Sequence, residues 1–180
     1  MPHSQSQPVR AALWMIGAIV SFTSMAVAGR AVSLQLDTFE IMMYRSFIGL
    51  FIVLVVASLS GTIPQIRRQK LGLHLIRNLS HFAGQNLWFY AITVLPLAQV
   101  FALEFTMPIW ALVFAVFVLN EKLTTMRVAT AMIGFIGILI VTRPWSVGIA
   151  PGILQAALAG VGFAATAVCT RLLTRTETIT

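Results

Sequence analysis

The sequence predicts an all-α integral membrane protein with six transmembrane helices. Three observations predict it. The chain is 58% hydrophobic and 9% charged, its mean hydropathy is +0.91, and its apolar residues gather into six runs, each long enough to cross a bilayer core of about 30 Å. This composition excludes a water-soluble globular enzyme. It also excludes a disordered chain, because 12 Phe and 8 Met in 180 residues are more apolar surface than a solvated ensemble tolerates. The single cysteine, Cys169, excludes an intrachain disulfide framework and a multi-cysteine metal site.

The runs follow in order. A tail at 1–8 precedes the first, 9–33, whose charges are Arg10 and Arg30. A signal-peptidase site is conceivable at Ala26-Val27-Ala28, but the apolar stretch continues past it and its pattern recurs later, so the segment reads as a retained helix. The second run, 39–60, follows Asp37 and contains Arg45; Gly61-Thr62-Ile63-Pro64 then opens the longest connection. The third, 72–94, carries most of the polar residues. The fourth, 96–119, opens on Pro96 and stops at Asn120-Glu121-Lys122; the fifth, 125–142, stops at Arg143-Pro144; the sixth is 149–171. Proline and polar turn residues lie where helices have to end.

A net charge of +7 raises the question of a nucleic-acid partner. With a cytoplasmic N-terminus, Arg10, Arg67, Arg68, Lys70, Lys122, Arg127, Arg171 and Arg175 all fall inside, against Arg30 and Arg143 outside. The positive-inside rule absorbs the basic surplus, so both termini are expected in the cytoplasm and no nucleic acid is expected.

Phe22, Ala26, Val27 and Arg30 recur as Phe163, Ala167, Val168 and Arg171, each 141 residues on. Five spans separate the starts of the two copies, so the second copy is upside down in the membrane, the plan of many secondary transporters.

Several pieces in helices three to five, in order, carry a family resemblance: Trp88-Phe89-Tyr90-Ala91-Ile92, Leu95-Pro96-Leu97-Ala98, Pro108-Ile109-Trp110, Leu119-x-Glu121-x-Leu123-Thr124 and Gly134-Phe135-x-Gly137, with Arg143-Pro144. The chain resembles the EamA-type domain of the drug/metabolite transporter superfamily. The resemblance implies a ten-helix protein of two inverted five-helix repeats that carries small organic solutes across a bacterial inner membrane. On that plan 9–144 is the first repeat and 145–180 is the start of the second, apparently truncated after its first helix. The sixth helix is then expected to lack partners, its small residues facing lipid or recruiting a second copy in a homodimer.

Lipid cannot satisfy polar groups, so those in the spans face protein or a cavity. His74, Asn78, His81, Gln85 and Trp88 lie on one stripe of the third span. Two histidines seven residues apart lack an acid or cysteine to complete a metal shell, and neither metal nor cofactor is expected. Of the ionisable residues in the spans, Arg45, Arg77 and Glu104, Arg77 is near enough to the inner surface to snorkel. Arg45 and Glu104 sit at similar depth on spans of the same direction and are expected to pair, with Gln85 and Asn86 at the same level. Pro108 leaves the Glu104 carbonyl without its helical partner. The substrate or coupling site is therefore expected at Glu104, Arg45, Asn86, Gln85, His81, Asn78 and Trp88. The rows Gly17-Ser21-Ser24-Ala28 and Thr130-Gly134-Gly137 are expected to make close helix contacts.

The function these features favour is secondary transport of a small organic metabolite or drug-like solute, ion- or proton-coupled. A non-transporting membrane scaffold or assembly subunit, or an inactive truncated transporter, is the alternative. An enzyme is not expected, since no paired-acid, zinc or nucleophile motif is present.

Overall fold

The computed structural model describes residues 8–65, 70–143 and 151–174, and every regular element among them is helical. The tail up to residue 7, Arg67, Arg68, Pro144, Arg175 and the expected start of the last span at 149 lie outside the described residues. The helices are α1 (Pro8–Val32), α2 (Thr38–Leu59), α3 (Leu71–Val94), α4 (Leu97–Glu104), α5 (Met107–Leu119), α6 (Thr125–Thr142) and α7 (Ile153–Thr174), with a 3₁₀ turn at Ile63–Gln65.

Five segments are long and apolar enough to cross a membrane: Val9–Val32, Thr38–Leu59, Leu97–Leu119, Thr125–Thr142 and Ile153–Thr174. The protein is a multi-pass membrane protein. Among the expected runs, 72–94 is helical as α3 but falls short in hydropathy because of its polar stripe. The run 96–119 is two helices, α4 and α5, interrupted at Phe105-Thr106.

Local chemistry sets the ends. Asp37 caps α2: its carboxylate accepts from the backbone N–H of Phe39 (2.7 Å) and of Glu40 (2.9 Å), while Glu40 accepts from the Asp37 N–H at 3.0 Å. These reciprocal bonds satisfy donors that a helix start leaves without partners. Thr124 caps α6 through its hydroxyl, and Asn120 ends α5 in the left-handed conformation, φ 52°, which asparagine tolerates better than most residues. Hydroxyls within the spans turn back on their own helices, as Ser46 on Met42, Thr130 on Met126, Thr142 on Ile138 and Thr166 on Gly162. These four groups are then not left bare to lipid.

The core forms where α3 meets the other helices. Trp88, Phe89, Ala91 and Ile92 of α3 are buried with Ala26 of α1, Met42 of α2, Val100 and Leu103 of α4, Ile138 of α6, and Ala156 and Ala159 of α7. By contrast α1, α2 and α6 keep most of their apolar side chains exposed, as lipid-facing helices do.

The last helix overturns an expectation. Rather than lacking partners, α7 packs on α3, α4 and α5, burying Ala156, Ala159, Gly160, Ala164, Val168, Cys169 and Leu173. Its small residues permit the approach: a Cβ on Gly162 would stand 2.8 Å from the Ser80 carbonyl oxygen and 3.0 Å from Gly84 Cα. The expected close rows are displaced as well. A Cβ on Gly17, Gly134 or Gly137 would meet nothing within 4 Å among the described residues, whereas Gly29, Gly84, Gly160 and Gly162 are the glycines at helix contacts. Small residues allow close approach but do not choose the face that is approached.

Candidate functional site

The stripe on α3 organises the interior. Trp88 is buried, and its indole N–H donates to Glu104 Oε2 at 3.3 Å. Glu104 is the last residue of α4. Beyond it the chain tightens: Phe105 N–H reaches the Ala102 carbonyl and Thr106 N–H the Leu103 carbonyl, before Ile109 and Trp110 restart the ladder on Thr106. Pro108, with no N–H, stands in the first turn of α5 and cannot take the bond that a continuous helix would direct to Glu104. The carboxylate therefore lies at a break within an otherwise membrane-length segment.

A cavity of about 580 Å³ opens there, lined by Ala18, Ile19, Phe22 and Thr23 of α1, Phe101 and Glu104 of α4, and Phe105, Met107 and Pro108. Its walls are mostly apolar, with three phenylalanines among them, and its one carboxylate is Glu104. Phe22 packs on Trp88 with ring centroids 5.6 Å apart and on Phe101 at 6.2 Å; Phe89 meets Trp88 edge to face at 5.3 Å. Ring stacking of this kind fixes the indole, and so the donor that holds Glu104.

The expected Arg45–Glu104 pair is not formed. With the Gln85 amide oriented by its neighbours, its oxygen accepts from Arg45 Nη1 (2.5 Å), Arg45 Nη2 (3.1 Å) and His81 Nε2 (3.3 Å). The Arg45 guanidinium meets Gln85 of α3, and Glu104 meets Trp88 of the same helix, so each is held by α3 rather than by the other. Asn86 donates to the Phe82 carbonyl at 2.9 Å, while its buried Oδ1 has no partner among the described residues. Asn78 faces outward and accepts from Arg77. Arg77 does not simply snorkel, for its Nε donates to Thr170 of α7 at 2.8 Å.

Sequence reasoning missed the aromatic lining, Phe22, Phe101 and Phe105. Phe22 had one signal: its counterpart in the repeated pattern, Phe163, packs on His81 at 5.8 Å, as Phe22 packs on Trp88. For Arg30 the sequence shows an outside charge and a member of the repeated pattern, but not the contact it makes. It donates from Nε to the Ile92 carbonyl at 2.6 Å and from Nη2 to the Leu95 carbonyl, tying α1 to the C-terminal end of α3, where carbonyls lack helical partners.

A second cavity of about 490 Å³ lies between α5 and α6. At one end Glu121 pairs with Arg127 (3.0 Å) and Arg171 (2.6 Å). The Arg127 hydrogen bond, with Arg171 beside it, holds the Glu121 carboxyl below the usual carboxylate range. Among the described residues no cluster of His, Cys, Asp and Glu could hold a metal.

With this geometry in view, residues 9–143 match the model of the EamA-like transporter family. The chain belongs to that family, whose members are transporters and not enzymes. It is 28% identical over 151 residues to an S-adenosylmethionine uptake transporter of Rickettsia felis, covering 84% of the chain and 51% of that protein. It is 39% identical over 112 residues to a riboflavin transporter of Brucella anthropi, covering 62% and 39%, and 29% identical over 142 residues to a riboflavin transporter of Vibrio cholerae, covering 77% and 48%. The chain thus spans about half the length of the curated relatives it matches. No solved structure matches it significantly.

Proposed function

We propose that the protein is a secondary transporter, or part of one, moving a small organic metabolite across the bacterial inner membrane with coupling to an ion or a proton. One observation carries this reading: a carboxylate at a helix break, held by a buried indole, faces a cavity large enough for an organic solute. A scaffold needs neither a break nor a hollow. The relatives' names bring S-adenosylmethionine and riboflavin to this chain as first solutes to try.

On this reading α3 is the sixth crossing. Its 24 residues extend about 36 Å, and Gln85 and Trp88 of its polar stripe meet polar groups of α2 and α4. The helices α1 to α6 make the first repeat and α7 begins the inverted second; the matching seats of Phe22 and Phe163 on α3 support the repeat. The basic residues Arg10, Lys70, Lys122, Arg127 and Arg171 support a cytoplasmic N-terminus.

Uptake into proteoliposomes tests the function. Labelled S-adenosylmethionine or riboflavin should accumulate when an ion or pH gradient is imposed and stop accumulating when it is collapsed. Vesicles that take up neither solute beyond protein-free controls would count against transport.

A further inference from the structure

The cavity between α5 and α6 is a groove with two chemically different ends. Most of its length is apolar, walled by Ile109, Leu112 and Ala115 of α5 and by Met126, Ala131 and Gly134 of α6. Small side chains keep it open, for a Cβ on Gly134 would meet nothing within 4 Å among the described residues. Phe105 and Met126, which also line it, are largely exposed, so the groove opens outward. Both helices belong to segments long and apolar enough to cross a membrane, where an opening that protein leaves uncovered meets lipid chains.

The other end is charged. Glu121 Oε2 stands 3.0 Å from Arg127 Nη1, and its Oε1 stands 2.6 Å from Arg171 Nη2; all three residues line the same groove. Two guanidinium charges against one carboxylate leave one positive charge over, and exposed Lys122 adds another beside it. The arginine side chains are about half exposed, at 51% and 52%. A guanidinium has five N–H donors, so each retains donors for a second acceptor.

The length of the groove matches one leaflet. Pro108, at its apolar end, is eleven residues before Leu119, the last residue of α5. That is about 16 Å of helix, close to half of a bilayer core of about 30 Å. A phospholipid has these proportions, with a phosphate at the surface and acyl chains one leaflet long. Its phosphodiester carries one negative charge, which balances the surplus, and offers oxygens to the arginine fork. A zwitterionic headgroup would bring a further cation to a cluster that is already positive, and a free anion would leave the apolar length unfilled.

We propose that this groove binds a phospholipid of net negative charge, its phosphate at Arg127 and Arg171 and one acyl chain laid between α5 and α6. Basic pockets between membrane helices commonly hold such headgroups. The chain would end at Phe105 and Pro108, which also wall the Glu104 cavity, and so lie against the helix break. Binding of this kind requires only the membrane-embedded chain and is independent of the transport reading.

Native mass spectrometry of the purified chain in detergent tests this, with phosphatidylglycerol and phosphatidylcholine of identical acyl chains and with glycerol phosphate as a soluble headgroup. The first phosphatidylglycerol should bind at least about tenfold more tightly than the first phosphatidylcholine, the effect of one hydrogen bond to a charged group. Gly134→Leu fills the groove while leaving every charge in place, and Arg127→Gln removes a headgroup contact; each should bring phosphatidylglycerol down toward phosphatidylcholine. Lys70→Gln removes the same charge outside the groove and should change nothing, which separates this site from the general attraction of a basic protein for anionic lipid. Equal binding of the two lipids by the unaltered protein overturns the inference, whether or not the variants fold. Equal losses from Lys70→Gln and Arg127→Gln overturn it as well. Displacement of phosphatidylglycerol by glycerol phosphate at comparable concentration would show an anion site without a lipid chain, and dimers that bind no phosphatidylglycerol would put a second copy in the groove; either result overturns it.

Discussion

Arg30 donates to the Ile92 carbonyl at 2.6 Å, joining the last turn of α1 to the last turns of α3. A second bond from the same guanidinium reaches the Leu95 carbonyl, just before Pro96 opens α4. The exposed carbonyls at a helix C-terminus carry partial negative charge, so a cation there is favoured beyond the hydrogen bonds themselves. Arg30→Gln should lower stability by about 1.5–3 kcal/mol, the range for hydrogen bonds to a charged group, and Arg30→Lys by less. Thermal unfolding in detergent checks this; a melting temperature unchanged by Arg30→Gln would mean that the latch contributes nothing.

The seam between α3 and α7 makes a sharper forecast. At Gly162 the atoms a methyl group would strike are backbone, the Ser80 carbonyl oxygen and Gly84 Cα, and backbone cannot rotate out of the way. Gly162→Ala should therefore part the helices and cost about 1–3 kcal/mol. Gly137→Ala on α6 meets open space and should be neutral or slightly stabilising through better helix propensity. Equal melting temperatures for the two variants would contradict the packing.

These two residues also show what sequence could and could not deliver. Helix positions came from apolar run lengths and from Pro and Gly punctuation, which act locally. Which face of a helix meets which neighbour is a property of the assembled bundle. Gly134 and Gly137 have the spacing of a close contact and make none, whereas Gly84 and Gly162 make one. The same limit separated Arg45 from Glu104: residue counting gives depth along a helix, but rotation about its axis comes from packing. Phe101 and Phe105 were illegible because, in a span made almost wholly of apolar residues, a phenylalanine facing a cavity has the same letter as one facing lipid. The polar residues of α3 were legible because lipid cannot accept them.

Orientation is checked by cysteine accessibility. With the N-terminus cytoplasmic, Asp37→Cys lies outside and Gln65→Cys inside. An impermeant thiol reagent added to intact cells should label the first and spare the second, on a Cys169→Ala background. The reverse pattern would invert the topology.

Glu121 links the α5–α6 connection to Arg127 and to Arg171 of α7. Its folded-state pKa is depressed, first by the Arg127 hydrogen bond, below an unfolded value of about 4.3. The sign follows from linkage: the contribution to stability is complete above the unfolded pKa and disappears as pH falls through the lower, folded one. Glu121→Gln should therefore narrow the gap in melting temperature between neutral pH and about pH 3.5. A variant with the same pH dependence as the unaltered protein would show that the cluster is too well solvated to matter.

Glu104→Gln bears most directly on mechanism. If Glu104 were one half of a buried ion pair with Arg45, neutralising it would strand a charge and impair folding. The structure removes that objection, because Arg45 is held by Gln85, and a glutamine oxygen at 104 can still accept from the Trp88 indole. The variant should therefore insert and melt near the unaltered protein, within about 1 kcal/mol. What it loses is the ability to exist in both charged and protonated forms, which a carrier needs if the group exchanges protons as the cavity opens to either side. Accumulation of solute against a gradient should disappear while solute exchange persists. Trp88→Phe supplies the complementary case, since it keeps the carboxylate but removes its donor, and concentrative uptake should survive with altered pH dependence. Expression, melting temperature and uptake of the two variants decide the matter together: a stable Glu104→Gln protein that still concentrates solute would take Glu104 out of the coupling step.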